Sequence, residues 1–114
     1  MKAIVIDPQK KELRDIEISG DRLQAYYENI GCDRVTAVNA QFMVKDKIVH
    51  ATIWLDEEGL YVKDQSYWFS DQYPYPLAGK GILVGFEAET GDCIDAPVSA
   101  EDFKRDCSVT FLAQ

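Results

Sequence analysis

The sequence predicts an α+β fold built on a mostly antiparallel sheet, with one amphipathic helix over about residues 20–31 and a short C-terminal helix over about 100–105. Three observations predict it. Runs rich in β-branched residues recur along the chain between turn signals. Leu23, Tyr26, Tyr27 and Ile30 repeat at the i, i+3, i+4, i+7 spacing of one helix face. Ser99-Ala100-Glu101-Asp102 has the spacing of a capping box. With 114 residues and no internal repeat, low-complexity tract or linker, 1–114 reads as a single α+β domain. At 12.9 kDa, about two-thirds of the extended chain's surface can be buried, enough for one ordinary core.

Ala3-Ile4-Val5-Ile6 is a β-branched strand that stops at Asp7-Pro8, where proline withdraws a backbone donor. Leu13, Ile16 and Ile18 alternate in part with charged residues, so this segment folds back on the first as a hairpin. Ser19 is the expected helix cap, Asp21 lies in the first turn, and Gly31 ends the helix. Its two tyrosines suit a helix lying across a sheet with hydroxyls at the rim. A β-meander follows. Val35–Val44 is a strand, Lys45-Asp46 a turn, and Lys47–Leu55 a second strand. That second strand has Val49, Ala51, Ile53 and Leu55 on one face, and Ile48, His50, Thr52 and Trp54 on the other. Asp56-Glu57-Glu58-Gly59 is then a turn, its glycine suited to a left-handed conformation, and Leu60-Tyr61-Val62 is expected to return as a partner strand. Residues 63–81 lose all periodicity and read as a long connection broken by Pro74, Pro76, Gly79 and Gly81. Ile82–Ala88 is the next strand, Thr90-Gly91-Asp92 a turn, and Ser108–Leu112 a closing strand.

Composition restricts function. The formal charge is −8, and the basic residues are scattered, so direct nucleic-acid binding is disfavoured. From Val84 onward seven carboxylates face only Lys104 and Arg105, which predicts an acidic surface able to steer a basic partner. Cys32, Cys93 and Cys107 are odd in number and too far apart for a structural zinc site, so buried, inert thiols in a reduced cytoplasmic setting are expected, with no metal and no cofactor. No apolar stretch approaches the ~20 residues of a membrane span.

Catalytic motifs are sparse. His50 is the sole histidine, and a general-base role would require a cysteine beside it, whereas a surface strand histidine needs nothing. Gly79-Lys80-Gly81 lacks both the earlier glycine and the following Ser or Thr of a phosphate loop. Asp56, Glu57 and Glu58 fall at a turn, where water keeps them solvated. The richest feature is the segment 64–76, which holds five of the thirteen aromatics: Tyr67, Trp68, Phe69, Tyr73 and Tyr75. Such rings offer large contact area at small entropic cost, and long loops in small domains are usually functional. Trp68 or Phe69 is expected to anchor the loop while Tyr67, Tyr73 and Tyr75 face outward. The candidate binding residues are therefore Tyr67, Trp68, Phe69, Tyr73 and Tyr75, together with Glu87, Glu89, Asp92 and Asp95 of the acidic region.

The opening Met1-Lys2-Ala3-Ile4-Val5-Ile6-Asp7-Pro8, the turn Asp56-Glu57-Glu58-Gly59-Leu60 and the strand Gly81-Ile82-Leu83-Val84-Gly85-Phe86 with its following acids together resemble an uncharacterised family of small proteins carried by bacteriophages and plasmids. The resemblance spans most of the chain and departs at residues 61–78, where a short Leu-Pro-x-Asn-like segment gives way to the aromatic loop. It implies a mobile-element setting and no known reaction. The expectation is a non-enzymatic accessory protein that binds a host protein, such as a basic nucleic-acid-binding one, and thereby inhibits a bacterial defence system. Two other readings are carried beside it. One is a small-ligand module in which the tyrosines and Trp68 stack on a nucleotide-like ring, with Lys63 or Lys80 for a phosphate. The other is an enzyme using His50 and a cysteine. Exposed β-edges also allow a symmetric homodimer.

Overall fold

The computed structural model describes residues 1–112, and the elements follow the chain as β1 (Lys2–Asp7), β2 (Glu12–Glu17), α1 (Arg22–Ile30), β3 (Val35–Val44), β4 (Lys47–Asp56), β5 (Tyr67–Phe69), β6 (Leu77–Ala78), β7 (Gly81–Phe86), β8 (Cys93–Ile94), α2 (Ala100–Asp106) and β9 (Thr110–Leu112). The fold is α+β, and every strand pairing is antiparallel. The larger sheet has the order β2-β1-β7-β4-β3. β8 lies on the same side of β7 as β1 but further along it. β1 pairs with Gly81–Leu83, and β8 with Gly85 and Phe86. A second sheet has the order β6-β5-β9. Among the described residues, no helix is long and apolar enough to cross a membrane.

Alternation along the central strands feeds two cores. Ile4, Ile6, Phe42, Val44, Ala51, Ile53, Leu55 and Leu83 pack on one face under α2 and the small sheet, with Trp68, Leu77, Ala100, Phe103 and Cys107. The other face carries Ala3, Val5, Ile82 and Val84 under Tyr26 and Ile30 of α1. There Trp54 stacks on Tyr26 with ring centroids 5.0 Å apart, and buried Thr52 donates to Asn39 Oδ1 at 2.9 Å. β4 is thus buried on both faces, and the face holding Thr52 and Trp54 is a core in its own right.

Local chemistry sets the turns and caps. Lys45 and Asp46 both have positive φ, 51° and 62°, as a two-residue hairpin turn requires. Asp21, rather than Ser19, caps α1: its Oδ1 accepts from the Leu23 and Gln24 amides at 3.0 and 3.3 Å. Gly20, at φ 75°, turns the chain just before it and sets Ser19 too far back. Gly31 ends the helix in the left-handed conformation at φ 83°. Ser99 Oγ accepts from the Asp102 amide at 3.1 Å and opens α2.

Further expectations are corrected. Leu60-Tyr61-Val62 is not a strand; Gly59–Tyr61 forms a 3-10 turn, and Gly59 is not left-handed. β4 already has β3 on one edge and β7 on the other, so no third strand can pair with it. The segment 63–81 is not a bare connection either, since it contributes β5 and β6. Three-residue and two-residue strands are too short to display a period of two.

Two consequences follow from the packing. A Cβ added at Gly85 would run into the Asp95 carbonyl oxygen and sit 2.9 Å from Ile94 Cγ1. Gly85→Ala should therefore push β8 away from β7 and destabilise by about 1–3 kcal/mol in urea unfolding; an unchanged midpoint would show that the approach is not tight. Cys107 is fully buried, and burial first, then the Asp106 and Asp71 charges, pushes its thiol up to about 12. Its native form is neutral, so its contribution to stability is complete below pH 9 and lost between pH 9 and 12 as the unfolded thiol ionises. A disulfide reagent at pH 8 should leave Cys107 unmodified until denaturant is added, as mass spectrometry of the labelled peptides would report.

Candidate binding surface

The small sheet decides where the aromatic residues go. Trp68 points inward, 0% exposed, opposite Leu77 and Phe111, and its ring packs over Gly81, whose added Cβ would lie 3.3 Å from Trp68 Cζ2. Trp68 is therefore a core residue and not a binding residue, because the sheet needs its largest side chain to cover β4 and β7. Alternation then places Tyr67, Phe69, Thr110 and Leu112 on the opposite, outward face. Phe69 is 36% exposed and Leu112 46% exposed, while Tyr67 is half-buried.

The rest of the loop is fastened down. Ser70 Oγ donates to the Cys107 carbonyl at 2.6 Å in a buried position. Gln72 accepts from the Met43 amide through Oε1 at 2.6 Å and donates through Nε2 to the Met43 and Asp106 carbonyls at 3.0 and 3.1 Å. Tyr73 packs partly into the core and meets Tyr75 edge to face, with centroids 6.4 Å apart. Tyr75 is presented to solvent at 67% exposure.

Sequence reasoning missed the neighbouring turn. An added Cβ at Gly59 would meet the Ala78 carbonyl oxygen at 3.2 Å, and Ala78 pairs with Tyr67, so the turn abuts the small sheet. Behind that contact Leu60, Tyr61 and Val62 project into water at 72%, 86% and 48% exposure. Read as a strand, they concealed the signal that was there: three consecutive apolar residues directly after an acidic turn.

The acids of the C-terminal region lie elsewhere. Glu87, Glu89 and Asp92 are exposed in the β7–β8 connection, which leaves the far end of β7 from Gly81 and Trp68. Six strand residues, about 17 Å, separate that turn from the Trp68 anchor. Asp95 serves the fold, accepting from the Lys2 amide at 2.9 Å. The two halves of the expected site are thus not joined into one surface. The carboxylates that flank the aromatic face in the chain are Glu57, Glu58, Asp64 and Asp71, all exposed.

Two concavities lie elsewhere on the surface. A cleft of about 720 Å³ opens between the Lys2 end of the first hairpin, the β3–β4 turn and residues 96–99. Lys2, Lys45 and Lys47 line it together with Asp15, Glu17 and Asp102. Lys45 Nζ contacts Asp102 at 2.9 Å and its amide donates to Asp106 Oδ2 at 2.8 Å, tying α2 to the turn. The Lys45 hydrogen bond holds the Asp102 carboxyl below the usual range, and Arg105 does so first for Asp106. A smaller niche of about 180 Å³ includes Asp7, Gln65, Lys63 and Lys80. Asp7 is buried there; its Oδ1 accepts from the Gln9 and Lys10 amides, and its Oδ2 lies 4.0 Å from Lys80 Nζ.

His50 is exposed on β4, and among the described residues no hydrogen bond joins it to a thiol. Burial raises the Cys32 thiol as well. Among the described residues, no group of three or more His, Cys, Asp or Glu side chains is gathered as a metal site. No curated protein and no solved structure matches the chain. A family model does match residues 1–108, nearly the whole described fold from β1 through α2, and the chain belongs to that family, the domain of unknown function DUF3846.

Proposed function

We propose that this chain is a non-enzymatic accessory protein that binds another protein through the outward face of its small sheet and the adjoining Leu60–Val62 turn. One observation carries the reading: Tyr67, Phe69 and Leu112 share the outward face of the small sheet, whose Ala78 abuts the Gly59 turn that leaves Leu60 and Tyr61 72% and 86% exposed. Contiguous exposed apolar surface with a polar rim is the usual form of a docking patch, and aromatic rings dominate the energy of such contacts. Glu57, Glu58, Asp64 and Asp71 favour a partner that is apolar at its centre and basic around it. In the mobile-element setting that the sequence resemblance implies, that partner is a protein in the bacterial host cytoplasm. If its basic surface normally holds nucleic acid, carboxylates would stand where phosphates do, making this chain an inhibitor of a defence system. The exposed Glu87, Glu89 and Asp92 would then act at longer range, raising the encounter rate.

The test is comparative capture from host lysate with the wild-type chain and a Tyr61→Ala/Phe69→Ala variant. Both residues are exposed, so the variant should keep its circular dichroism spectrum and melting temperature. A specific protein held by the wild type, released by salt and lost at least about tenfold with the variant, some 1.4 kcal/mol, is the expected result. Equal retention by both chains would remove the aromatic face from the reading.

A second reading rests on the large cleft, where Lys2 and Lys47 lie beside Asp15 and Glu17, and a small anionic ligand such as a nucleotide would compete with Asp102 for Lys45. Stacking on Trp68 has no part in it, since that ring is 0% exposed. A melting temperature raised by several degrees with nucleotides, and not in a Lys2→Ala/Lys47→Ala variant, is the expected sign; no shift across a broad anion set would end it.

A further inference from the structure

The outer edge of β3 is open, and the hydrogen bonds around it show which of its groups are free. The Glu57 amide donates to the Arg34 carbonyl at 3.0 Å, which places the backbone groups of Arg34 on the β4 side of the ladder. Gln72 takes both the amide and the carbonyl of Met43 from the other side. Antiparallel strands alternate the direction of their backbone groups residue by residue, so Val35, Ala37, Asn39 and Gln41 point away from β4, as Met43 does. Among the described residues, no donor or acceptor meets their amides or carbonyls. The free window, Val35-Thr36-Ala37-Val38-Asn39-Ala40-Gln41, contains no charge and no proline, the usual protections of an edge strand. Its register with β4 runs without a bulge.

We propose that this edge pairs with β3 of a second copy of the chain, antiparallel about a two-fold axis at Val38, so that the two larger sheets become one. Three features favour a second copy as the occupant. With Val38 opposite Val38, Val35 faces Gln41 and Ala37 faces Asn39. Every outward residue then meets an outward residue, and the pairing ends just where the Gln72 side chain closes Met43. Copies carrying −8 each repel one another, and this seam brings no carboxylate into contact. Thr36, Ala37 and Ala40 are small enough to let the strands approach.

Sedimentation equilibrium of the full chain, from dilute solution to millimolar, tests this together with amide hydrogen exchange. The mass should rise from 12.9 kDa to twice that value. Over the same range the amides of Ala37, Asn39 and Gln41 should become protected, while those of Thr36, Val38 and Ala40 are protected throughout by β4. An Ala37→Lys/Gln41→Lys variant, which leaves the Thr52–Asn39 hydrogen bond in place, should keep the native spectrum and stay at the single-chain mass. A wild-type chain that remains monomeric with those three amides unprotected overturns the proposal. So does a dimer that persists in the folded variant, or protection that arises only when an unrelated extended peptide is added. The exchange measurement needs no variant, so a variant that failed to fold would leave the test decisive.

Discussion

Three strands, β1, β7 and β4, are buried on both faces, and the rest of the structure answers that demand. Ile4, Val5, Ile6, Ile53, Ile82, Leu83 and Val84 have almost no contact with water, and their alternation sends them to opposite sides of one sheet. Each side needs its own cover. α1 supplies one with Tyr26 and Ile30, while α2 and the small sheet supply the other with Phe103 and Trp68. Burying a tryptophan and two phenylalanines in this second layer outweighs any gain from presenting them, since each full burial is worth ~2–3 kcal/mol. Phe42 and Phe103 meet edge to face there at 5.0 Å.

That demand also sorts the surface. A three-stranded sheet that turns one face inward must turn the other outward, so placing Trp68 and Phe111 in the core obliges Tyr67, Phe69 and Leu112 to face water. The exposed apolar patch is in this sense a by-product of core covering, made larger by a turn that could not become a strand. Polar groups fasten the covering layer to the main sheet. Gln72 bridges Met43 and Asp106, Ser70 reaches the Cys107 carbonyl, and Lys45 holds Asp102. Because the Gln72 amide mimics a strand partner for one residue of β3, it also marks where the open edge stops.

The acidic character of the chain divides by role. Asp95, Asp15, Asp21 and Asp7 spend their oxygens on backbone amides, fixing the start of β1, the entry to α2, the cap of α1 and the first hairpin turn. Glu87, Glu89 and Asp92 remain in water and supply field more than contact. Net charge therefore overstates how much anionic surface is available for recognition.

By itself the sequence determined the elements whose information is local. The 3.6-residue spacing of Leu23, Tyr26, Tyr27 and Ile30 specified α1, Ser99 opened α2, Lys45-Asp46 set the hairpin, alternation identified β4, and strand-forming runs between turn signals identified β1, β3 and β7. Five candidate aromatics were legible as a cluster. Only the tertiary structure decided which of them face water, because that depends on how many sheet edges and faces are already occupied. β4 had no edge left for Leu60–Val62, and the second core had room for Trp68, while Asp95 was drawn to the Lys2 amide across 93 residues. Pairing between distant strands is a competition for a limited number of backbone partners and buried volumes, and no window of neighbouring residues carries its outcome.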